Sequence, residues 1–252
     1  MMVANIQKVA QTAYRIFSRL YASGELHIGS ENVGILSSMM NKVKSSDVKF
    51  DMAKVPKFGD ADDEAPVSYI GIFEDQVMTM AIFVIREGCK IPLHDHPGMY
   101  GFCKVIHGTA SFQSYSNVKN FDAQPPEEIS HQLKPMFKNA VKPVYLENDC
   151  AISSEDECCV LTPDSGTYHE LCAHNGPVAF LDILAPSYDH STTGQRICQY
   201  YREIGRKSHQ TRHQGKQVKW LLPISSPDEF WCDHTEYEGP SISDALKSIK
   251  IE

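Results

Sequence analysis

Residues 91–99 read IPLHDHPGM and carry two histidines two positions apart. On an extended strand, residues i and i+2 project from the same face, so His94 and His96 point together while Asp95 points away. Pro97 and Gly98 then end the strand and leave the pair at its mouth. Two imidazoles are an incomplete metal site; the plainer alternative is a surface turn that carries two histidines. A third ligand is needed, and His107, His131, His169 and His174 are available nearby in the chain. His169 is the best placed of these. It lies in PDSGTYHELCAH, where Pro163 and Gly166 make a turn leading into a strand, the same local pattern as the first pair. His107 stands at a strand end before Gly108, His131 lies in a polar stretch, and His174 precedes Asn-Gly, so these three read as turn or surface residues. Three histidines with a water are also a catalytic zinc arrangement, so the residues alone leave the metal open.

A carboxylate stands out separately. In VAFLDILA, Asp182 is an acid inside an otherwise apolar strand. Burying a carboxylate is costly unless it is paired. Either backbone or an arginine satisfies it structurally, or it serves the site by orienting a ligand or holding a substrate amine.

These residues need strands to hold them. From about Tyr69 onward, short apolar or alternating runs follow one another, each closed by Gly, Pro, Asn or Asp. They are SYIGIFE, VMTMAIFVI, IPLHDH, YGFCKVIHG, TASFQSYS, VKPVYLE, CCVLTP, YHELCAH, VAFLDILA, QYYREI and VKWLLPI. Strands this short and this closely spaced predict a β-sandwich or small barrel. Ahead of them, Ile6, Val9, Ala10, Ala13, Phe17 and Leu20 fall on one helical face and Gly24 follows as a stop. A second helix is expected after Ser30, with Ile35, Leu36, Met39, Met40 and Val43 facing inward. Residues 51–67 read as a loop with a solvated acidic run at 60–64, and residues 117–142 and 205–219 as insertions. The second insertion is basic and is expected to be a surface loop. Within residues 117–142, the PPEE stretch marks a loop or a short helix start. Trp220 and Trp231 are taken as packing residues, and of Cys158 and Cys159 only one can face the core.

The totals narrow the class. A chain of 252 residues with 42% hydrophobic and 22% charged residues can bury an ordinary core. A formal net charge of -8 argues against a general nucleic-acid binder. No apolar run approaches the roughly 20 residues that span a bilayer, and the first residues lack a secretory h-region. Eight cysteines at irregular spacing include no C-x-x-C pair, which suggests reduced thiols and a cytoplasmic protein.

The spacing Gly88, His94, His96, Gly101, Gly108 is similar to the first cupin motif, except that Gly101 stands where a cupin usually carries a glutamate ligand. Pro163, Gly166 and His169 resemble the second motif, with Pro to Gly one residue longer than usual and Glu157 in place of the leading glycine. The blocks IPLHDHPGM, CCVLTPDSGTYHE, FLDILAPSYD and CQYYRE together resemble the cysteamine dioxygenase and plant cysteine oxidase family of cupin thiol dioxygenases. The resemblance implies a mainly β fold, a cupin-type double-stranded β-helix (jelly-roll barrel) with two N-terminal α-helices. As a layout it implies a single cupin domain over 1–252, with helices in 1–48 and the barrel in 69–235. It implies one Fe(II) per chain on His94, His96 and His169, with O2 as co-substrate. The substrates implied are cysteamine, giving hypotaurine, and proteins with an N-terminal cysteine, giving a sulfinic acid that feeds oxygen-dependent degradation and a hypoxia response. On this reading Asp182 faces the substrate amine, Tyr188 places a hydroxyl over the open face of the iron, and Cys198 and Tyr200 share a strand face. A thioether joins such a pair in some thiol dioxygenases; by residue type alone Cys198 and Tyr200 read as neighbouring core residues. The rival readings are a zinc-dependent cupin hydrolase or isomerase and a non-catalytic ligand-binding cupin. No nucleic-acid or membrane partner is expected, and nothing suggests a dimer seam, so a monomer is expected.

Overall fold

The structure is a computed structural model that describes residues 3–55, 65–120, 125–131, 133, 140–189, 194, 196–205 and 212–247. The acidic run at 60–64 and most of the basic stretch at 205–211 lie outside the described residues. Helix α1 (Asn5–Ser23) buries Ile6, Val9, Ala10, Ala13 and Phe17, the face its periodicity predicts. Gly24 ends it at φ 68, a left-handed turn that returns its N–H to Leu20 O. Helix α2 (Gly29–Met40) buries Leu36 and Met40. Ile35, expected on that face, is 42% exposed: residues four apart set the inner stripe, and the residue beside one of them rotates out by about 100°. Val43 is buried, but from the turn that follows the helix.

The eleven runs with strand character are all strands: β1 (Val67–Glu74), β2 (Thr79–Ile85), β3 (Lys90–Asp95), β4 (Tyr100–His107), β5 (Thr109–Asn117), β6 (Lys142–Ser153), β7 (Cys159–Leu161), β8 (Tyr168–Ala173), β9 (Val178–Ala185), β10 (Tyr200–Ile204) and β12 (Lys216–Ile224). The chain adds β11 (Arg212–His213) and β13 (Cys232–His234), and two short helices, α3 (Glu127–Ser130) and α4 (Ile242–Lys247). Helix α3 starts directly after the two prolines of the first insertion. β11 pairs with the start of β12, so the end of the second insertion is a hairpin.

One sheet runs β13-β1-β2-β9-β4-β7 and the other β10-β3-β8-β5-β6-β12-β11. The architecture is a mainly β jelly roll, the cupin-type double-stranded β-helix, with α1 and α2 ahead of it. Outside the first sheet, α1 and α2 pack on Tyr100, Phe102, Leu181 and Ile183. Between the two sheets lie Cys103, Val105, Phe112, Leu161, Leu171 and Phe180. The residues that alternate with these on β4 and β9 face the helices, so both strands are buried on two sides.

The second sheet also pairs β10 with β12, which closes β10, β3, β8, β5, β6 and β12 into a ring. Inside the ring sit Leu93, Tyr115, Val144, Tyr168, Tyr201 and Leu221. The strands β3 and β8 therefore turn one face to the ring and the other to the space between the sheets. Trp220 is buried as expected, whereas Trp231 is 45% exposed. Its neighbours Phe230 and Cys232 pack on the inter-sheet core, and alternation turns the residue between them outward. Cys158 is buried against α2, where Asn41 Oδ1 accepts its backbone N–H at 2.7 Å, while Cys159 is half-buried.

Candidate metal centre

His94 pairs directly with His169 across β3 and β8, and with Tyr200 of β10 on its other side. His96 lies just past β3, where its N–H bonds Thr167 O at 2.9 Å. The three side chains are buried, and their ligand atoms lie within 4.8 Å of one another. His96 Nε2 and His169 Nε2 are 3.1 Å apart. His107 and His174 are exposed strand-end residues, and His131 is exposed beside Glu127, so none of the three joins the cluster.

The hydrogen bonds around the cluster decide which nitrogen faces inward. His94 Nδ1–H donates to Pro92 O at 2.8 Å, leaving its Nε2 as a lone pair. The Tyr188 hydroxyl lies 2.6 Å from Asp95 O and 2.8 Å from His96 Nδ1. The carbonyl can only accept, so the hydroxyl donates to Asp95 O and accepts from His96 Nδ1–H. His96 Nε2 is then also a lone pair. Burial pushes His94 down to about 4; it holds His96 and His169 well below the ordinary histidine range, helped by the neighbouring imidazoles. The donor set is three neutral imidazoles. Their close approach is repulsive between lone pairs and favourable around a cation. His169 Nδ1 is buried without a hydrogen-bond partner among the described residues, so the fold does not hold this imidazole by a hydrogen bond from behind. The set fits a divalent transition metal.

Tyr188 therefore does not lie over the open face of the site. Its hydroxyl sits behind His96, on the side away from Nε2. Asp95, which the alternation turns away, is structural: Oδ1 accepts from Gln199 N–H at 3.0 Å and Oδ2 from Tyr201 Oη–H at 2.8 Å, fastening β10 to β3. Cys198 lies just before β10, with its thiol in hydrogen-bonding contact with the hydroxyls of both Tyr188 and Tyr200. Burial pushes that thiol up to about 11. The Tyr200 ring lies 6.3 Å from the His94 ring.

Asp182 faces inward from β9 beside Cys103 of β4. It is 5% exposed, and Oδ1 has no hydrogen-bond partner among the described residues. Burial pushes its carboxyl up to about 7, against a lowering from the Ile183 N–H. The residue lines a cavity of about 350 Å³ with Tyr69, Phe83, Leu184, Tyr188 and Cys232. Cys232 was not foreseen there, since a three-residue strand leaves too little pattern to read. The place of the usual cupin glutamate is filled. A Cβ on Gly101 would stand 3.0 Å from Leu161 Cδ1 and 3.3 Å from Leu184 Cδ2. Leu161 also reaches Gly166, where a Cβ would lie 3.1 Å from its Cδ2. One leucine thus occupies the room left by a glycine of each motif.

A family model, PCO_ADO, matches residues 39–242. The chain is 32% identical over 251 residues to 2-aminoethanethiol dioxygenase of Mus musculus, covering 96% of this chain and 97% of that protein. It is 32% identical over 222 residues to 2-aminoethanethiol dioxygenase of Homo sapiens, covering 84% and 82%. Plant cysteine oxidase 2 of Arabidopsis thaliana is 24% identical over 252 residues, covering 96% and 85%.

Proposed function

The chain belongs to the PCO_ADO family, and on that premise we propose a non-haem iron thiol dioxygenase that acts on cysteamine and on the N-terminal cysteine of proteins. The observation that carries this reading is the cluster of three neutral imidazoles with no carboxylate among them. His94, His96 and His169 would hold the ion, with their Nε2 atoms as the free donors. Bound ferrous iron supplies the one-electron redox chemistry by which O2 reacts with a thiol, which zinc lacks. The Pro92 carbonyl and the Tyr188 hydroxyl keep two of the three imidazoles in the ligating tautomer.

Both substrates share an amine–carbon–carbon–thiol unit. Asp182 is the group to receive the amine: it is buried, has an oxygen to spare and lines the cavity beside Tyr188. An ammonium placed there favours the carboxylate over the neutral acid, and the two charges offset each other's desolvation. Tyr69, Phe83 and Leu184 keep the cavity apolar around that pair. Tyr200 stands beside His94, and a covalent link between it and Cys198, two residues earlier, is testable by intact mass. The products are hypotaurine from cysteamine and a cysteine sulfinic acid at a protein N-terminus, the latter an oxygen-dependent mark for degradation that a cytoplasmic enzyme would cease to write in hypoxia.

The test is metal analysis of protein purified without added metal, with O2 uptake and mass spectrometry on cysteamine and on a peptide beginning with cysteine. Iron and a gain of two oxygen atoms on a thiol are expected. Tight zinc with no thiol-dependent O2 uptake overturns the reading. His94→Ala is expected to lose both iron and turnover.

A further inference from the structure

The cavity that Asp182 faces does not end at Tyr188. Next to it lies an open groove of about 730 Å³, lined by Tyr21, Glu74, Asp75, Ser187, Asp189 and Arg196. Glu74 and Tyr188 belong to the walls of both hollows. Thr79 of the cavity donates a hydrogen bond to Ser187 of the groove at 2.8 Å, tying the two together. Tyr21 and Arg196 in turn wall a third recess of about 430 Å³, whose other walls include Phe17, Leu20, Leu26 and Pro186. Three hollows therefore adjoin one another through shared walls: a cavity with a buried carboxylate, a groove with three carboxylates and one guanidinium, and a mainly apolar recess with Glu25 at its wall. Leu26 is 66% exposed and Tyr21 52% exposed along this line.

The outer wall is built rather than incidental. Tyr14 Oη–H of α1 donates to Asp75 Oδ2 at 2.7 Å, and Tyr21 Oη–H donates to Gln76 Oε1 at 3.0 Å. Asp75 Oδ1 accepts the N–H groups of Val77 and Met78, so the β1–β2 turn is rigid where the helix meets it. At the inner end, Oδ1 of the buried Asp182, which has no hydrogen-bond partner among the described residues, marks where a cationic group is expected.

We propose that these hollows form a track for the polypeptide behind an N-terminal cysteine, selecting cationic side chains just after the cysteine and apolar ones further along. The inference rests on the thiol dioxygenase reading and deepens it. An extended chain advances about 3.3 Å per residue, so the first residues behind an anchored amine cross the acidic stretch before reaching the apolar recess. Free cysteamine ends inside the cavity and touches neither. The track therefore separates the two substrate classes, and charge complementarity sets the preference among proteins.

The experiment compares three peptides on the iron-loaded full chain, with Lys, Gln or Glu at positions 2 and 3 behind an N-terminal cysteine and otherwise identical. The readout is kcat/KM from the gain of two oxygen atoms, with cysteamine turnover measured in the same preparation. The Lys peptide is expected to exceed the Glu peptide by about fivefold or more, a margin that shrinks as salt rises. Asp189→Lys is expected to narrow or reverse that margin. Equal values for the Lys and Glu peptides, or a preference for Glu, overturn the track while cysteamine turnover keeps the enzyme assignment. Loss of turnover on every substrate overturns both.

Discussion

Tyr188 carries one hydroxyl proton, and the Asp95 carbonyl claims it. That leaves the oxygen to accept from His96, which turns a buried imidazole into a ligand of defined tautomer. Tyr188→Phe removes this support together with the hydrogen bond to the Asp95 carbonyl. Iron affinity is expected to fall by about 10- to 100-fold, with the fold retained, as read by metal titration and circular dichroism. Asp182 is the other residue whose chemistry is set by its surroundings. Burial pushes its carboxyl up to about 7, so the ionised form proposed to receive an ammonium fills in as pH rises through neutrality. For Asp182→Asn, kcat/KM with cysteamine is expected to drop at least about tenfold, mostly through KM, and the rise through pH 7 to disappear. The three-histidine cluster and the buried acid were legible in the sequence because each leaves a local mark: His94 and His96 stand two apart before Pro-Gly, His169 follows the Pro163 and Gly166 turn into a strand, and Asp182 is an acid within an apolar run. The place of Tyr188 was not. Its hydroxyl meets a carbonyl 93 residues away in the chain, and the Asp95–Tyr201 bond spans 106. Alternation within one strand carries no information about such contacts.

At the scale of the elements, β4 and β7 explain why the centre has no carboxylate. They pair Gly101 with Leu161, and the leucine fills the space above both Gly101 and Gly166. Gly101→Glu therefore does not restore a fourth ligand. It overpacks the inter-sheet core, at a cost of about 1–3 kcal/mol, and buries a carboxylate among leucines, which adds more. A large fall in the urea midpoint with no gain in metal affinity is expected, whereas Gly101→Ala costs the overpacking alone. Most strands could be read from their alternation and their closing Gly, Pro and Asn residues. β11 and β13 have two and three residues and leave no period to detect, and the pairing of β10 with β12 depends on how the sheet curls. α1 reads in the sequence as a packing helix. In the fold its Tyr14 and Tyr21 also fix the turn that borders the acidic groove.

At the scale of the whole molecule, the buried titratable groups set how stability depends on pH. The folded pKa values of the three histidines lie below the unfolded value of 6.5, so their contribution is complete above 6.5 and is lost as pH falls below it, for His94 towards about 4. Asp182 works the other way. Raised to about 7, it favours the fold while protonated, and that contribution is lost as pH rises from about 4 to 7. Asp95 adds a smaller share of the same sign. Three histidines outweigh two carboxyls, so the metal-free protein is expected to lose stability as pH falls from 6.5 to 4. The slope is on the order of 1–3 kcal/mol per pH unit, read from urea midpoints. Asp182→Asn is expected to steepen it. The ring of six strands bears on the same molecule in another way. A sheet with an edge frays from that edge inward, but a hoop has no edge and gives way first at its thinnest seam. That seam is β3 against β10, a single register pair at His94 and Tyr200, and the Asp95 carboxylate bolts it shut. The residue between the two histidines thus acts as a latch, through its backbone N–H to Gln199 O as well as its carboxylate, and its removal is expected to let the centre open more readily.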